Sequence, residues 1–455
     1  MKIRDVICTV FGLSLYLVLI SLFSVFVWLV YPSSHRKNIF YIIKLRQGNI
    51  MRVLVLNRRP IVEKIALWFA QTNAEVFLVT PKVLMPTSAN SSDRGHQYFK
   101  EIYSVDNYDS PAVNELIMKV VEEKHIERIV SATEIDVLRA AQVRRKMGLI
   151  GQDEVSALSY RNKWIMKSRL QKHGIPVARM QQVVDRQWVE EFAHKYGFPI
   201  VIKPVEGGGS VGVQIIHHIG QLQHIDFEQL KQGYLVEEWI EGEFFTIDGL
   251  MRNGMMLHCW PSRTTANFSA VSGNSTLLSW MLLADDPLTA QLSTLVSRVI
   301  MALPPTPDTT AFHAEAFFCE KTQRLVLCEI ACRPGGAGHV PVYEMAFGLN
   351  LYKETLLGQA GLCSQETYRD VYPHAMAGFA WFPPKEAIFG YAPESCPVDG
   401  INGYQLMACS GQRYQSPHSI SDHIAKAFAL QPVDCDPAKV ITEVDVWWKT
   451  NVIWN

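Results

Sequence analysis

An apolar run that ends in a lysine and opens directly into glycines, FPIVIKPVEGGGSVGVQII at 198–216, constrains this chain more than any other stretch. No G-x-x-x-x-G-K-[ST] is present and Lys203 precedes the glycines, so the segment is not a P-loop. FPIVIKP reads as a strand. Beyond the glycines Val211, Val213 and Ile215 alternate with Gly212 and Gln214, which is again strand periodicity. The glycines therefore join two antiparallel strands as a hairpin flap, instead of leading a strand into a helix. Having no Cβ, they let backbone N–H groups approach a triphosphate closely.

With 455 residues the chain has material for two to four domains. After Met51, RVLVLN, EVFLVT and ERIVSAT read as short apolar strands, with IVEKIALWFAQTN and SPAVNELIMKVVEEKHI as helices between them. The alternation predicts an α/β chain that opens, over 51–150, with a Rossmann-like parallel sheet. Asn57-Arg58-Arg59-Pro60 stands where G-x-G-x-x-G would follow the first strand, so no dinucleotide is expected there. From Gly151 onward, ALSYRNKWIMKSRLQKHGIPVARM predicts a helix stopped by Gly174 and Pro176, and QWVEEFAHKYG a second. Further on, AMAGFAWFPP and GYQLMACSGQRY predict strands, SISDHIAKAFAL a helix, and VDVWWKTNVIWN a segment packed on the core.

A net charge of −1 gives no electrostatic case for nucleic acid. Nine cysteines, an odd number with no C-x-x-C pair, argue for a reducing, cytoplasmic setting over a disulfide framework. Cys328 and Cys332 have no second pair to complete a zinc site and read as packing residues.

One segment departs from the globular pattern. From Val6 to Tyr31 the chain carries no charged residue and is long enough to span a bilayer as an N-terminal transmembrane helix. Arg36, Lys37, Lys44 and Arg46 follow it, against Lys2, Arg4 and Asp5 before it, which would leave the bulk of the chain in the cytoplasm. The other reading is that Met51, at the head of the first strand, is the true start and residues 1–50 are an over-extension. Membrane contact is expected only through residues 6–31, if that segment is genuine.

Two acids stand alone in apolar strands, Glu315 in FHAEAFF and Glu329 in LVLCEIACR. A carboxylate pointing inward from such a strand is costly unless it is paired or bound to a metal. Two on neighbouring strands would suit Mg²⁺, a hard cation that takes oxygen ligands together with ATP phosphates.

These features, in this order, resemble the ATP-grasp ligases over most of residues 51–455. The resemblance implies an ATP-grasp domain of two α+β lobes over 151–370 and a C-terminal α+β lobe over 371–455 that covers the substrate pocket. It implies ATP and Mg²⁺ as cofactors, with Mn²⁺ as an alternative metal. Lys163 in YRNKWIMK and Lys203 in VIKP would contact the phosphates, and Glu206, Gly208, Gly209 and Ser210 would form the flexible loop. In YLVEEWIEGEFFTIDG, Glu237 with the backbone of Glu238, Trp239 and Ile240 would meet adenine, and Glu243 the ribose. Glu315 and Glu329 would be the metal ligands, with Lys203 and Arg333 as catalytic residues. In place of an Asn two residues after the second metal Glu this chain has Ala331, which cannot ligate.

The stretch ERIVSATEIDVLRAAQVRRKMGL resembles the carboxylate–amine ligase branch, including the L-amino acid ligases. Such ligases phosphorylate a carboxylate and let an amine attack the acyl phosphate. Arg333 would then stabilise the carbonyl oxygen as its charge grows; the other reading is that it pairs with Glu315 or Glu329, and the two roles are compatible. Glu134, at the C-terminal end of a predicted parallel strand, would hold a substrate amino group, or serve only the helix dipole. His339, just past the Arg333-Pro334-Gly335-Gly336 turn, is a further substrate-contact candidate. The alternatives are an ATP-grasp carboxylase or phosphotransferase, and a non-catalytic, membrane-tethered nucleotide-binding scaffold.

Overall fold

The computed structural model describes residues 50–85, 96–231, 233–265, 275–362, 368, 371–419 and 422–455. The apolar segment 6–31 lies outside the described residues. Among those that are described, no helix is long and apolar enough to cross a membrane.

A four-stranded parallel sheet opens the described chain, in the order Phe99–Val105, Ala74–Pro81, Met51–Leu56, Arg128–Ser131. The inner strands Met51–Leu56 and Ala74–Pro81 are mostly buried, which is why they read as continuous apolar runs. Helix Val62–Ala70 packs on one face, and helices Ala112–Glu123 and Glu134–Met147 on the other. The edge strand Phe99–Val105 carries Lys100 and Glu101 on a half-exposed surface, and its sequence had not identified it as a strand. Gln359 at the end of helix Leu351–Gln359 accepts from Ser131 N at 2.9 Å and donates to Ser131 O at 2.9 Å. Arg128 pairs with Asp308 at 3.3 Å. These bonds fix the C-terminal end of the parallel sheet, and so Glu134, against the rest of the molecule.

The single helix expected from ALSYRNKWIMKSRLQKHG is two helices, Glu154–Arg161 and Lys163–Lys172. Asn162 ends the first in an extended conformation, and its side chain caps the second by accepting from Ile165 N at 3.1 Å. An Asn side chain competes well for free helix N–H groups, and that breaks the run. Lys163 is thereby placed at the first position of a helix, with its own N–H on Val205 O at 2.8 Å.

A small antiparallel sheet follows, in the order Met180–Gln182, Tyr234–Glu238, Ile200–Pro204, Gln214–Ile216, backed by helix Arg186–Tyr196. The strands flanking the glycines pair antiparallel, as their alternation predicts. The second starts at Gln214 and not at Val211, because Gly209, Ser210 and Gly212 all take left-handed backbone angles that interrupt a ladder.

The largest sheet has eight antiparallel strands, in the order Arg324–Ala331, Thr310–Cys319, Glu243–Arg252, Met255–Thr264, Leu277–Met281, Met376–Phe382, Ala425–Gln431, Ile401–Leu406. It runs without a break across the expected boundary at 370/371. The helix predicted for SISDHIAKAFAL is corrected here: residues Ala425–Gln431 are a strand in which Ala425, Ala427 and Ala429 are buried and Lys426 and Phe428 less so. The period-two pattern and a place between two strands override alanine's helix preference. Trp448 of the last long helix, Ala438–Asn451, is buried and stacks on Phe382 with ring centroids 4.4 Å apart.

Candidate active site

A cleft with a cavity volume of about 160 Å³ lies between the small sheet with its glycine turn and the strands that carry Glu315 and Glu329. Lys163, Lys167, Lys203, the Gly207–Ser210 turn and the Glu237–Ile240 segment line it.

At its base one carboxylate serves two ammonium groups. Lys203 Nζ is 2.7 Å from Glu237 Oε2, and Lys167 Nζ donates to the other oxygen of Glu237. All three residues are buried. Burial alone would raise the Glu237 pKa, but the two lysines outweigh it and hold it below the usual carboxylate range. Burial works against the charge on both lysines. It pushes Lys167 down, while Glu237 together with Glu329 keeps Lys203 up.

Glu315 and Glu329 stand directly opposite each other on adjacent antiparallel strands, with an irregularity just after Glu315. Facing carboxylates in register repel unless cations sit between or beside them. Glu329 Oε2 is 3.0 Å from Lys163 Nζ. Burial would push the Glu329 carboxyl up, yet Lys163 and Lys203 bring it down to about 2. Lys163 also donates to Gly207 O at 3.1 Å, so it bridges the acidic pair and the flap.

Beyond the carboxylates, Arg333 Nε lies 2.5 Å from Glu134 Oε2. Sequence offered Glu315 or Glu329 as the acid paired with Arg333; the hydrogen bond found runs to Glu134 instead. Glu134 is the first residue of its helix, so it favours the helix dipole and holds Arg333 at once. Arg161 Nη1 reaches Glu134 Oε1 at 3.3 Å and Gly207 O at 3.2 Å.

The other candidates are placed as follows. The Glu238 carboxylate turns to Arg179, accepting from Arg179 N at 2.8 Å, and the backbone N–H groups of Glu238 and Trp239 donate to Arg179 O and Pro199 O. Trp239 is partly exposed at the cleft wall. Glu206 accepts from Asn162 Nδ2 at 3.3 Å, and Glu243 is exposed and paired with Arg263. His339 is buried, with Nδ1 3.1 Å from Asp248 Oδ2. Ala331 lies in register with His313, which itself is 2.8 Å from Asp248. Burial opposes protonation of His313, but Asp248 outweighs it and the imidazole pKa is pushed up to about 9.

Sequence reasoning missed Lys167, Arg161, Asp248 and His313. Lys167 had a signal, being four residues after Lys163 and so on the same helix face. Asp248 and His313 had a weaker one, a lone acid and a lone imidazole in apolar strands next to the metal candidates.

Residues 168–346 match the model of the ATP-grasp domain. The L-arginine-specific L-amino acid ligase of Bacillus subtilis is 28% identical over 268 residues, covering 56% of this chain and 63% of that protein. Dapdiamide A synthase of Enterobacter agglomerans is 26% identical over 213 residues, 43% of this chain and 47% of that protein. The matches thus span under two thirds of the length of these curated relatives. Among solved structures, an L-amino acid ligase from Bacillus licheniformis superposes with a TM-score of 0.65 at 16% identity, covering 89% of this chain and 99% of that one. The N5-carboxyaminoimidazole ribonucleotide synthetase of Thermotoga maritima does so with a TM-score of 0.61 at 17% identity, covering 89% and 99%. The fold and the matched domain agree with the geometry above: the chain carries an ATP-grasp domain over residues 168–346 and is similar to carboxylate–amine ligases in sequence and in fold.

Proposed function

We propose that this protein is an ATP-dependent ligase that joins the carboxylate of an amino acid or other small acid to an amine. The substrate carboxylate attacks the γ-phosphorus, ADP leaves, and an acyl phosphate forms. The amine then attacks the acyl carbon, loses a proton, and phosphate departs.

The observation that supports this best is the line of charges along one cleft: Lys203 and Lys163, then Glu329 opposite Glu315, then Arg333 paired with Glu134. The lysines bind the negative charge of the triphosphate, and the flap glycines bring backbone N–H groups to it. The donor set of two facing carboxylates fits a hard divalent cation, so Glu315 and Glu329 would hold Mg²⁺. When bound, that ion supplies charge neutralisation of the phosphates. Arg333 faces the acyl group and stabilises the carbonyl oxygen as it gains charge.

The Arg333–Glu134 pair also suits an α-amino acid, which carries one carboxylate for the guanidinium and one ammonium for the acid. The sequence relatives support the same class, since the first two are named an L-arginine-specific L-amino acid ligase and a dapdiamide A synthase.

The test is to incubate the full chain with ATP, Mg²⁺ and pools of amino acids and small carboxylic acids, reading phosphate release and product mass together. Phosphate release that needs one acid and one amine, with a product lighter than their sum by one water, is the expected result. ATP turnover that yields only a carboxylated or phosphorylated product overturns the proposal.

A further inference from the structure

The buried cluster Asp248, His313 and His339 has no part in the scheme above. Asp248 and His313 are in register on adjacent strands of the large sheet, and His339 opens helix His339–Phe347. Asp248 Oδ1 is 2.8 Å from His313 Nδ1, and Asp248 Oδ2 is 3.1 Å from His339 Nδ1. The ligand-type atoms of the three lie within 4.8 Å of one another, so a metal is the first occupant to consider.

The packing argues against a metal. Each Asp248 oxygen already faces an imidazole Nδ1, and the backbone of Gly335 closes over the cluster. A Cβ at Gly335 would lie 2.6 Å from Asp248 Oδ1 and 2.9 Å from His313 Nδ1. An ion would have to displace this turn.

The cluster instead points outward at both ends. His313 spans two carboxylates: with Nδ1 held by Asp248, its Nε2 is aimed at Glu315 Oε1, 3.6 Å away. The register pairs His313 with Ala331, on the face that also carries the facing pair Glu315 and Glu329. A small residue at 331 leaves the imidazole room there. On the other side, the same Asp248 holds His339, and Gly335 rests on it, directly after Arg333-Pro334.

We propose that Asp248 and His313 are positioning residues that fix the Glu315 carboxylate for a divalent cation, and that His339 and Gly335 tie the Arg333 turn to the same anchor. This rests on the reading of Glu315 as a metal ligand. Groups that hold metal-ligating side chains in place commonly matter about 10–100-fold in metal affinity. The phosphate half and the acyl half of the site would then keep their spacing through one buried aspartate.

The experiment is calorimetric titration of ADP into the full chain at graded Mg²⁺ and in EDTA, for wild type, His313→Asn and His313→Gln. The Asn amide reaches the Nδ1 position and keeps the bond to Asp248, while the Gln amide reaches toward Nε2 and Glu315. In His313→Asn, the Mg²⁺ concentration that half-maximally tightens ADP should rise about 10–100-fold, with ADP affinity in EDTA unchanged. His313→Gln should move this midpoint much less. An unchanged midpoint in His313→Asn overturns the proposal, and so does an equal loss with and without Mg²⁺, which a merely structural role would give. If His313→Asn does not fold, Asp248→Asn carries the test with the same two outcomes. Wild-type ADP binding that ignores Mg²⁺ overturns the metal reading of Glu315 as well, which separates that failure from the failure of the positioning role alone.

Discussion

Lys163 and Glu329 face each other at 3.0 Å, so a cation assigned to the phosphates and an anion assigned to the metal neutralise one another. On the proposed reading, a bound nucleotide and its cation would exchange this contact for two new ones. Replacing Glu329 by Gln should lower ligase turnover on the order of 10²–10³-fold, the usual scale for losing one charge-stabilising group in a site. Thermal unfolding should change little, since Lys163 keeps its bond to Gly207 O. Turnover assays with a melting curve check both halves.

Glu237 is the only acid bonded to both Lys167 and Lys203 among the described residues. Replacing it by Gln leaves the buried Lys167 ammonium without its partner and Lys203 with only the more distant Glu329, and should cost about 3–5 kcal/mol of stability. Lys167→Met should cost less, because Glu237 keeps Lys203. The double variant should lose less than the two single losses added together. Urea denaturation of the set measures this.

Arg333 and Glu134 should separate in their kinetics. Arg333→Lys keeps a charge but loses the planar fork, and is expected to lower kcat more than it changes KM. If Glu134 holds a substrate ammonium as proposed, Glu134→Gln should mainly raise KM for the amino acid. Steady-state kinetics on an identified substrate pair decide it.

Gly335→Ala would place a methyl group against Asp248 and His313. Overpacking of this kind costs about 1–3 kcal/mol. If the turn moves to relieve it, Arg333 moves too, and kcat should fall about 100-fold for a displacement near 1 Å. A melting temperature and a kcat, measured on the same preparation, read the two effects separately.

Much of this was legible in the chain itself. The glycine flap between antiparallel strands followed from the alternation of Val211, Val213 and Ile215, and the facing acids from their isolation in apolar runs. Ala425–Gln431 was misread because its alanines favour helix on composition, while the deciding fact is a seat between two strands. The break at Asn162 was hidden inside a run with good helical residues on both sides. Asp248 and His313 are 65 residues apart, and only the strand order that sets Thr310–Cys319 beside Glu243–Arg252 brings them together. Spacing along the chain carries no trace of such a neighbour.

The eight-stranded sheet that crosses residue 370 also decides which part of the molecule can move. Leu277–Met281 is hydrogen-bonded to Met376–Phe382 through four paired positions, Leu277 with Trp381 to Trp280 with Gly378. Swinging the C-terminal segment away as a lid would tear that ladder. The small sheet and its glycine turn share no strand with the large one; their backbone link is the bridge of Val177 to Leu327. In mechanical terms, Glu315 and Glu329 sit on one anvil and Lys203 with the flap on a separate hammer, so a relative movement of the two sheets would change the spacing of Lys203 and Glu329 before that of Glu315 and Glu329.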